Sequence, residues 1–239
     1  MMKKIVQGLV ALAVWFLSTG AAHGLDLTKN IQLDVFALAG GSTMVDAQYW
    51  DSAGNLFHSR FEVGPKYTVG VGIPYGKLLT IETEFTGGPN NMATTNTDLN
   101  PRHDVVFPIR YYNGSISGVV HAPFSHFHIQ PYGAVGIEYD KCNPTSGAVA
   151  EALNQGFGAV STAIMTHNDK FGLNIGGGLD RKLTKRITFR IDLRDHIAGS
   201  PAFGLGYRST PYNLGSYPVL GRANNIEYTA GFVVHIGKL

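Results

Sequence analysis

The chain has one cysteine, Cys142, in 239 residues. An internal disulfide is excluded, and Cys142 is expected to be a loop residue of no special role. Charge is scarce as well. Charged residues make up 15% of the chain, against roughly 25% in an ordinary soluble domain. Neither sign is in surplus: without Lys3 and Lys4 the chain carries 17 basic and 17 acidic residues. That balance argues against nucleic acid as a partner. Beyond the N-terminus no apolar run approaches the roughly 20 residues of a membrane-spanning helix. Two classes survive these absences: a soluble protein outside the inner membrane, or a membrane protein that crosses by strands.

What the N-terminus does contain points to export. "MMKKIVQGLVALAVWFLSTGAAHG" places Lys3 and Lys4 before an apolar stretch from Ile5 to Leu17, followed by small residues. This is the three-part form of a secretory signal peptide. Residues 1–24 are read as that leader and residues 25–239 as one mature domain.

The mature chain alternates with period two, the signature of strands. In "RITFRIDLRDH", Ile187, Phe189, Ile191 and Leu193 share one face; Thr188, Arg190, Asp192 and Arg194 share the other. In "RFEVGPKYTVGVGI", Tyr67, Val69, Val71 and Ile73 oppose Lys66, Thr68, Gly70 and Gly72. "LLTIETEF" sets Leu79, Ile81 and Phe85 against Thr80, Glu82 and Glu84. "IQPYGAVGIEY", "FGLNIGGGLD" and "NIEYTAGFVVHIG" repeat the pattern, while "IQLDVFALAG" and a stretch within 110–122 are weaker. The total is eight strands. Their polar faces are rich in Gly, Thr and Asn with one or two charges each, and small residues there leave room for a few long ones. The apolar faces carry Tyr or Phe near strand ends, as at Phe61, Phe85, Tyr139, Phe171 and Tyr228. Aromatic girdles at two lipid–water interfaces look like this.

The connections sort into two kinds. Those at 74–77, 123–126 and 181–185 are short; those at roughly 42–58, 87–102, 141–168 and 197–223 are long. Strict alternation puts all short turns at one end of a meander and all long loops at the other. The expected fold is all-β: an eight-stranded antiparallel up-and-down transmembrane β-barrel with short periplasmic turns and four long external loops. The inward charges then need partners, because an unpaired ion in a narrow lumen is costly. Lys66, Glu82, Glu84, Glu138, Asp180, Arg190, Asp192, Arg194 and Glu227 are expected to form an interior ion-pair network, with Asp34 nearby. Arg194 with Glu227 is the first pair to name. A soluble lipocalin-like barrel fails here, since its interior would be apolar.

"FGLNIGGGLDRKLTKRITFRIDLRDH", "IQPYGAVGIEY" and "NNIEYTAGFVVHIG" resemble the outer-membrane β-barrel domain family, which includes the small barrels of the outer membrane protein A type. The resemblance covers essentially the whole mature chain and implies a fold more than a role. Such barrels usually end in Phe or Trp, which the assembly machinery reads; this chain ends "HIGKL" at Leu239.

Equipment for chemistry is thin. His58 and Ser59 are adjacent and face opposite ways, as do Asp195 and His196, so neither pair makes a dyad on one strand. His121, His126 and His128 in "HAPFSHFH" could bind a metal such as zinc, but beside Phe124 and Phe127 they fit an interfacial belt better. No cofactor is called for. The expectation is a non-enzymatic, monomeric barrel in the bacterial outer membrane, embedded in its lipid and lipopolysaccharide and inserted by the barrel assembly machinery. Its role would be structural, or surface interaction through external loops held on a largely plugged barrel. The alternatives are a narrow pore for ions or small solutes and, less favoured, a lipid-modifying barrel enzyme.

Overall fold

Ten antiparallel strands form one sheet that closes on itself. The structure, a computed structural model, describes residues 32–44, 47–50, 56–96, 104–125, 127–148, 167–199 and 222–237. The strands are β1 (Leu33–Met44), β2 (Ala47–Trp50), β3 (Leu56–Phe61), β4 (Gly64–Tyr75), β5 (Leu79–Asn96), β6 (Asp104–His121), β7 (Ile129–Pro144), β8 (Asn168–Lys182), β9 (Ile187–Gly199) and β10 (Arg222–Ile236). Eight of them make the ring β1–β4–β5–β6–β7–β8–β9–β10, and β10 returns to β1 through the register Leu33↔Ile236 to Met44↔Asn225. Closure leaves no unpaired edge around the ring.

The alternation seen in the sequence sorts the side chains between the two surfaces. Along β9, Ile191 and Leu193 are 49% and 55% exposed on the outside, while Arg190 and Arg194 are 2% and 4% exposed within. A soluble protein does the opposite. The outer surface carries Val69, Val71, Ile73, Ile81, Ile116, Val135, Ile137, Leu173 and Ile175, all exposed. On β4 the aromatic positions Tyr67 and Tyr75 bracket this band. Eight residues separate them, about 26 Å along a strand at ~3.3 Å per residue. With strands tilted by about 40° that becomes roughly 20 Å of height, near the apolar band of a membrane barrel.

The three short connections gather at one end with both ends of the ring's chain. Gly76 takes φ +73° in the β4–β5 turn, with open space around its Cα, a left-handed conformation that suits glycine. Thr184 Oγ1 accepts from the backbone N–H groups of Arg186 (3.1 Å) and Ile187 (3.0 Å) and so tightens the β8–β9 turn.

At the other end the strands run farther than the sequence suggested. Part of each long connection is ladder among the described residues. β5 continues to Asn96 and pairs with β6 down to Thr95↔Asp104, although "TGGPNNMATTN" has no apolar alternation. Beyond the band a strand needs a neighbour to satisfy its backbone, not an apolar face. The expected loop 42–58 contains the hairpin β2–β3, and β3 pairs with β5 from Phe57↔Asn96 to Phe61↔Met92. β3 and β4 thus share β5 as partner, interrupted at Glu62 and Val63. Cys142 lies in β7 and is buried, not in a loop. After β7 the described residues end in a single helical turn at residues 146–148. The leader read at 1–24 lies outside the described residues.

Candidate functional site: the barrel lumen

Inward positions every second residue on eight strands fill a narrow lumen with side chains. Glycine makes the space for the long ones. A Cβ on Gly176 would lie 2.3 Å from the Leu193 carbonyl oxygen and 2.9 Å from Arg194 Cγ; one on Gly178 would lie 2.5 Å from the Tyr132 hydroxyl. Arg194 and Tyr132 therefore occupy volume that β8 vacates.

The middle of the lumen is built on two arginines from β9. Arg190 forks onto Asp180, with Nε to Oδ1 at 2.8 Å and Nη2 to Oδ2 at 2.9 Å, and donates through Nη1 to Glu82 Oε1 at 2.6 Å. Its guanidinium also lies over the Tyr132 ring, 4.7 Å from the centroid. Arg194 donates to Asp192 Oδ1 (3.0 Å), Glu84 Oε1 (2.7 Å), Ser117 Oγ (3.1 Å) and Glu82 Oε2 (3.2 Å). Glu82 is shared by both cations. Tyr132 donates its hydroxyl to Asp192 Oδ2, and Ser115 to Glu84. β9 and β5 stand on opposite sides of the ring, four strands apart. The pairs of Arg190 with Glu82 and of Arg194 with Glu82 and Glu84 cross the lumen from wall to wall.

Arg194 does not pair with Glu227, contrary to expectation. The two face each other in register between β9 and β10, but the long Arg194 side chain reaches across to β5. Glu227 instead accepts from Thr68 Oγ1 at 2.8 Å and lies 3.6 Å from His196 Nε2. Lys66 forms no ion pair with a carboxylate among the described residues; its ammonium sits 4.4 Å from the centroid of the Tyr111 ring, a cation–π contact. Glu138 meets His196, Nδ1 to Oε2 at 2.7 Å. Tyr111, Asn113 and Asp140 were not singled out from the sequence, and His196 was weighed there only beside Asp195. For His196 the signal was available, since it continues the phase of Arg190, Asp192 and Arg194. Asp140 lies one step past where the alternation of "IQPYGAVGIEY" stops, and accepts from Tyr111 Oη and from Asn113 Nδ2 (2.7 Å).

Near the turn end a small apolar cluster of Phe36, Leu38 and Val233 enters the lumen. Beside it Asp34 Oδ1 holds His235 Nδ1 at 2.6 Å, and His235 Nε2 meets Thr188 Oγ1 at 2.9 Å. Acid, imidazole and hydroxyl stand in the order of a nucleophilic relay. Thr188 is only 2% exposed, so no substrate carbonyl reaches its hydroxyl, and the relay serves to satisfy three polar groups at the turn end of the lumen.

Among the described residues the histidines considered for metal form no metal-ligand group. His121 turns inward, 3.8 Å from Asp180, and contacts Thr80 at 3.4 Å. His128 is exposed in a turn with φ 62°, ahead of the start of β7, so it is not on a strand face. His126 lies outside the described residues.

No protein-family model matches the chain, and no curated protein matches it. Solved structures do. Neisserial surface protein A is 13% identical, with 84% of this chain and 96% of that one covered and a TM-score of 0.52. The outer membrane protein OprG from Pseudomonas aeruginosa is also 13% identical, with 88% and 98% covered and a TM-score of 0.55. Closed ring, apolar exterior, polar lumen and these likenesses agree: the chain has the fold of the small eight-stranded outer-membrane β-barrels.

Proposed function

We propose that this protein is a bacterial outer-membrane barrel of structural or surface-interaction type, closed in its lumen and acting through the end where its strands project. The observation that carries the reading is the cross-lumen contact of Arg190 with Glu82 and of Arg194 with Glu82 and Glu84. Eight strands leave room for little more than side chains, and here charged side chains from opposite walls meet at hydrogen-bond distance. A lumen filled this way is a strut. The external end, by contrast, is elaborated. β5 and β6 run 18 residues each, and β3 adds to β5 beyond the ring. The exterior would meet lipid, with lipopolysaccharide in the outer leaflet, and the chain would be inserted by the barrel assembly machinery as a monomer. Nothing in this reading requires catalysis.

The test combines fractionation with conductance. The protein should partition with outer membranes and migrate differently on gels with and without heating. In planar bilayers the purified barrel should show no steady conductance. Recovery in the soluble periplasm after osmotic shock would refute the location. Sustained channels would favour the narrow-pore reading, which the polar lining of the lumen keeps open.

A further inference from the structure

The exposed charge at the turn end is of one sign. Arg181, Lys182, Lys185 and Arg186 fall in the six-residue stretch "RKLTKR" of the β8–β9 connection, and all four are exposed. Lys77 is exposed in the β4–β5 turn. The acids of the described residues at this end point into the lumen and are engaged there. Asp180 is forked by Arg190, and Asp34 holds His235. The adjoining sequence outside the described residues, 25–31, 126 and 238–239, holds Asp26 against Lys29 and Lys238, which leaves the positive surplus in place.

The basic turn is fixed and is fastened to an aromatic one. Leu183 and Thr184 both donate backbone N–H groups to the Ile187 carbonyl, at 3.0 and 3.1 Å. Lys182 N–H donates to the His128 carbonyl at 3.2 Å, and Arg181 stands in register with Ile129. The β6–β7 connection so attached exposes Phe124 by 65% and Phe127 by 79%. Phe127 and His128 take φ 50° and 62°, two successive non-glycine residues in a left-handed conformation that costs energy. A phenyl ring held outward gains from that only where an apolar medium buries it. Depth agrees. Arg181 points outward on β8 one outward position past Leu179, which is exposed in the apolar band. That step is about 7 Å along a strand, enough to put the guanidinium at the level of lipid head groups.

We infer that the joined β6–β7 and β8–β9 turns form a binding surface for anionic phospholipid in the leaflet that the turn end meets. The inference rests on the membrane-barrel reading above. Arg181, Lys182, Lys185 and Arg186 take head-group phosphates, for which a guanidinium fork is well shaped. Phe124, Phe127 and Leu183 enter the edge of the acyl layer, where aromatic side chains anchor membrane proteins. Cations beside a negatively charged leaflet are drawn to it. A soluble polyanion would satisfy the same cations but leave both phenyl rings in water, so the lipid is the better match.

The experiment uses the full mature barrel, refolded in detergent, with phosphatidylglycerol and phosphatidylcholine added in equal amounts. Bound lipid is counted by native mass spectrometry. Phosphatidylglycerol should be retained over phosphatidylcholine by roughly fivefold or more, and the preference should fall as salt is raised. Arg181→Gln, Lys182→Gln, Lys185→Gln and Arg186→Gln together should abolish it. Phe127→Ser should weaken retention of both lipids. Arg110→Gln, which removes an exposed cation on β6 toward the other end, should leave the preference unchanged. Equal retention of the two lipids, a preference that survives the combined change, or an equal loss from Arg110→Gln would overturn the inference. So would displacement of phosphatidylglycerol by soluble glycerol phosphate, which would assign the cations to a free anion. Gel mobility with and without heating reads folding separately. A folded barrel with no preference refutes this inference alone, whereas a chain that folds in neither detergent nor vesicles refutes the membrane reading beneath it.

Discussion

Removing Arg194 is the sharpest test of the strut. Its guanidinium donates four hydrogen bonds, three of them to the carboxylates of Asp192, Glu84 and Glu82. All four side chains are 5% exposed or less. Methionine matches the stem but supplies no donor, so Glu84 and Asp192 lose the guanidinium that bonds them while staying buried. Charge-assisted bonds are worth about 1.5–3 kcal/mol each, but they are not additive, and breaking one side of a buried pair typically costs about 3–5 kcal/mol. An exposed pair would be worth only about 0–1 kcal/mol. With an m-value of ~2 kcal/mol per molar, within the range of small proteins in urea, a loss of 4 kcal/mol lowers the unfolding midpoint by about 2 M. The assay is urea unfolding of the barrel from lipid vesicles, followed by tryptophan fluorescence. Adding Glu84→Gln to Arg194→Met removes the orphaned charge and should recover part of the loss. Adding Glu227→Gln instead should recover little, because Glu227 bonds Thr68. A shift below about 0.3 M for Arg194→Met, or equal rescue by the two glutamines, would refute the assignment of partners.

Other expectations follow from the two surfaces. Ile191→Arg puts a charge on the lipid face and should cost roughly 2–4 kcal/mol near the midplane, whereas Thr188→Ser keeps the hydroxyl that meets His235 and should leave the midpoint unchanged; equal stability of the two in vesicles would reverse the facing. Gly176→Ala drives a methyl to 2.3 Å from the Leu193 carbonyl oxygen and should destabilise by about 1–3 kcal/mol. Gly114→Ala, with nothing within 4 Å of the new methyl, is its control in the same melt. In planar bilayers, Arg194→Met with Glu84→Gln should raise ion flow above wild type if these pairs are what closes the lumen, and unchanged silence would assign closure to the surrounding side chains.

The outcome for the strands shows how far local pattern reaches. Facing was legible because a strand's period is two and one side must meet lipid: Ile191 out and Arg190 in is written in "FRID". The number of ring strands was legible for the same reason, eight apolar faces each needing their own stretch of lipid. Strand ends were not. From Gly87 to Asn96, and from Asp104 toward Arg110, the chain leaves the apolar band, and pairing there is set by what the neighbouring strand offers. The hairpin β2–β3 depends on β5 being long enough to receive it.

The site divides along the same line. The sequence alone determined which charged residues enter the lumen, since inward facing follows from phase: Glu82, Glu84, Asp180, Arg190, Asp192 and Arg194 all share it. It did not determine their partners. Arg194 and Glu227 are neighbours across a strand pair, yet Arg194 bonds carboxylates on β5, which precedes it by about 110 residues and stands across the barrel. Asp34, His235 and Thr188 meet only because β1, β10 and β9 adjoin once the ring closes. Lys66 comes to rest over Tyr111, and Glu138 meets His196 two strands away. Those contacts depend on ring order, on shear and on the reach of each side chain, which no single strand encodes.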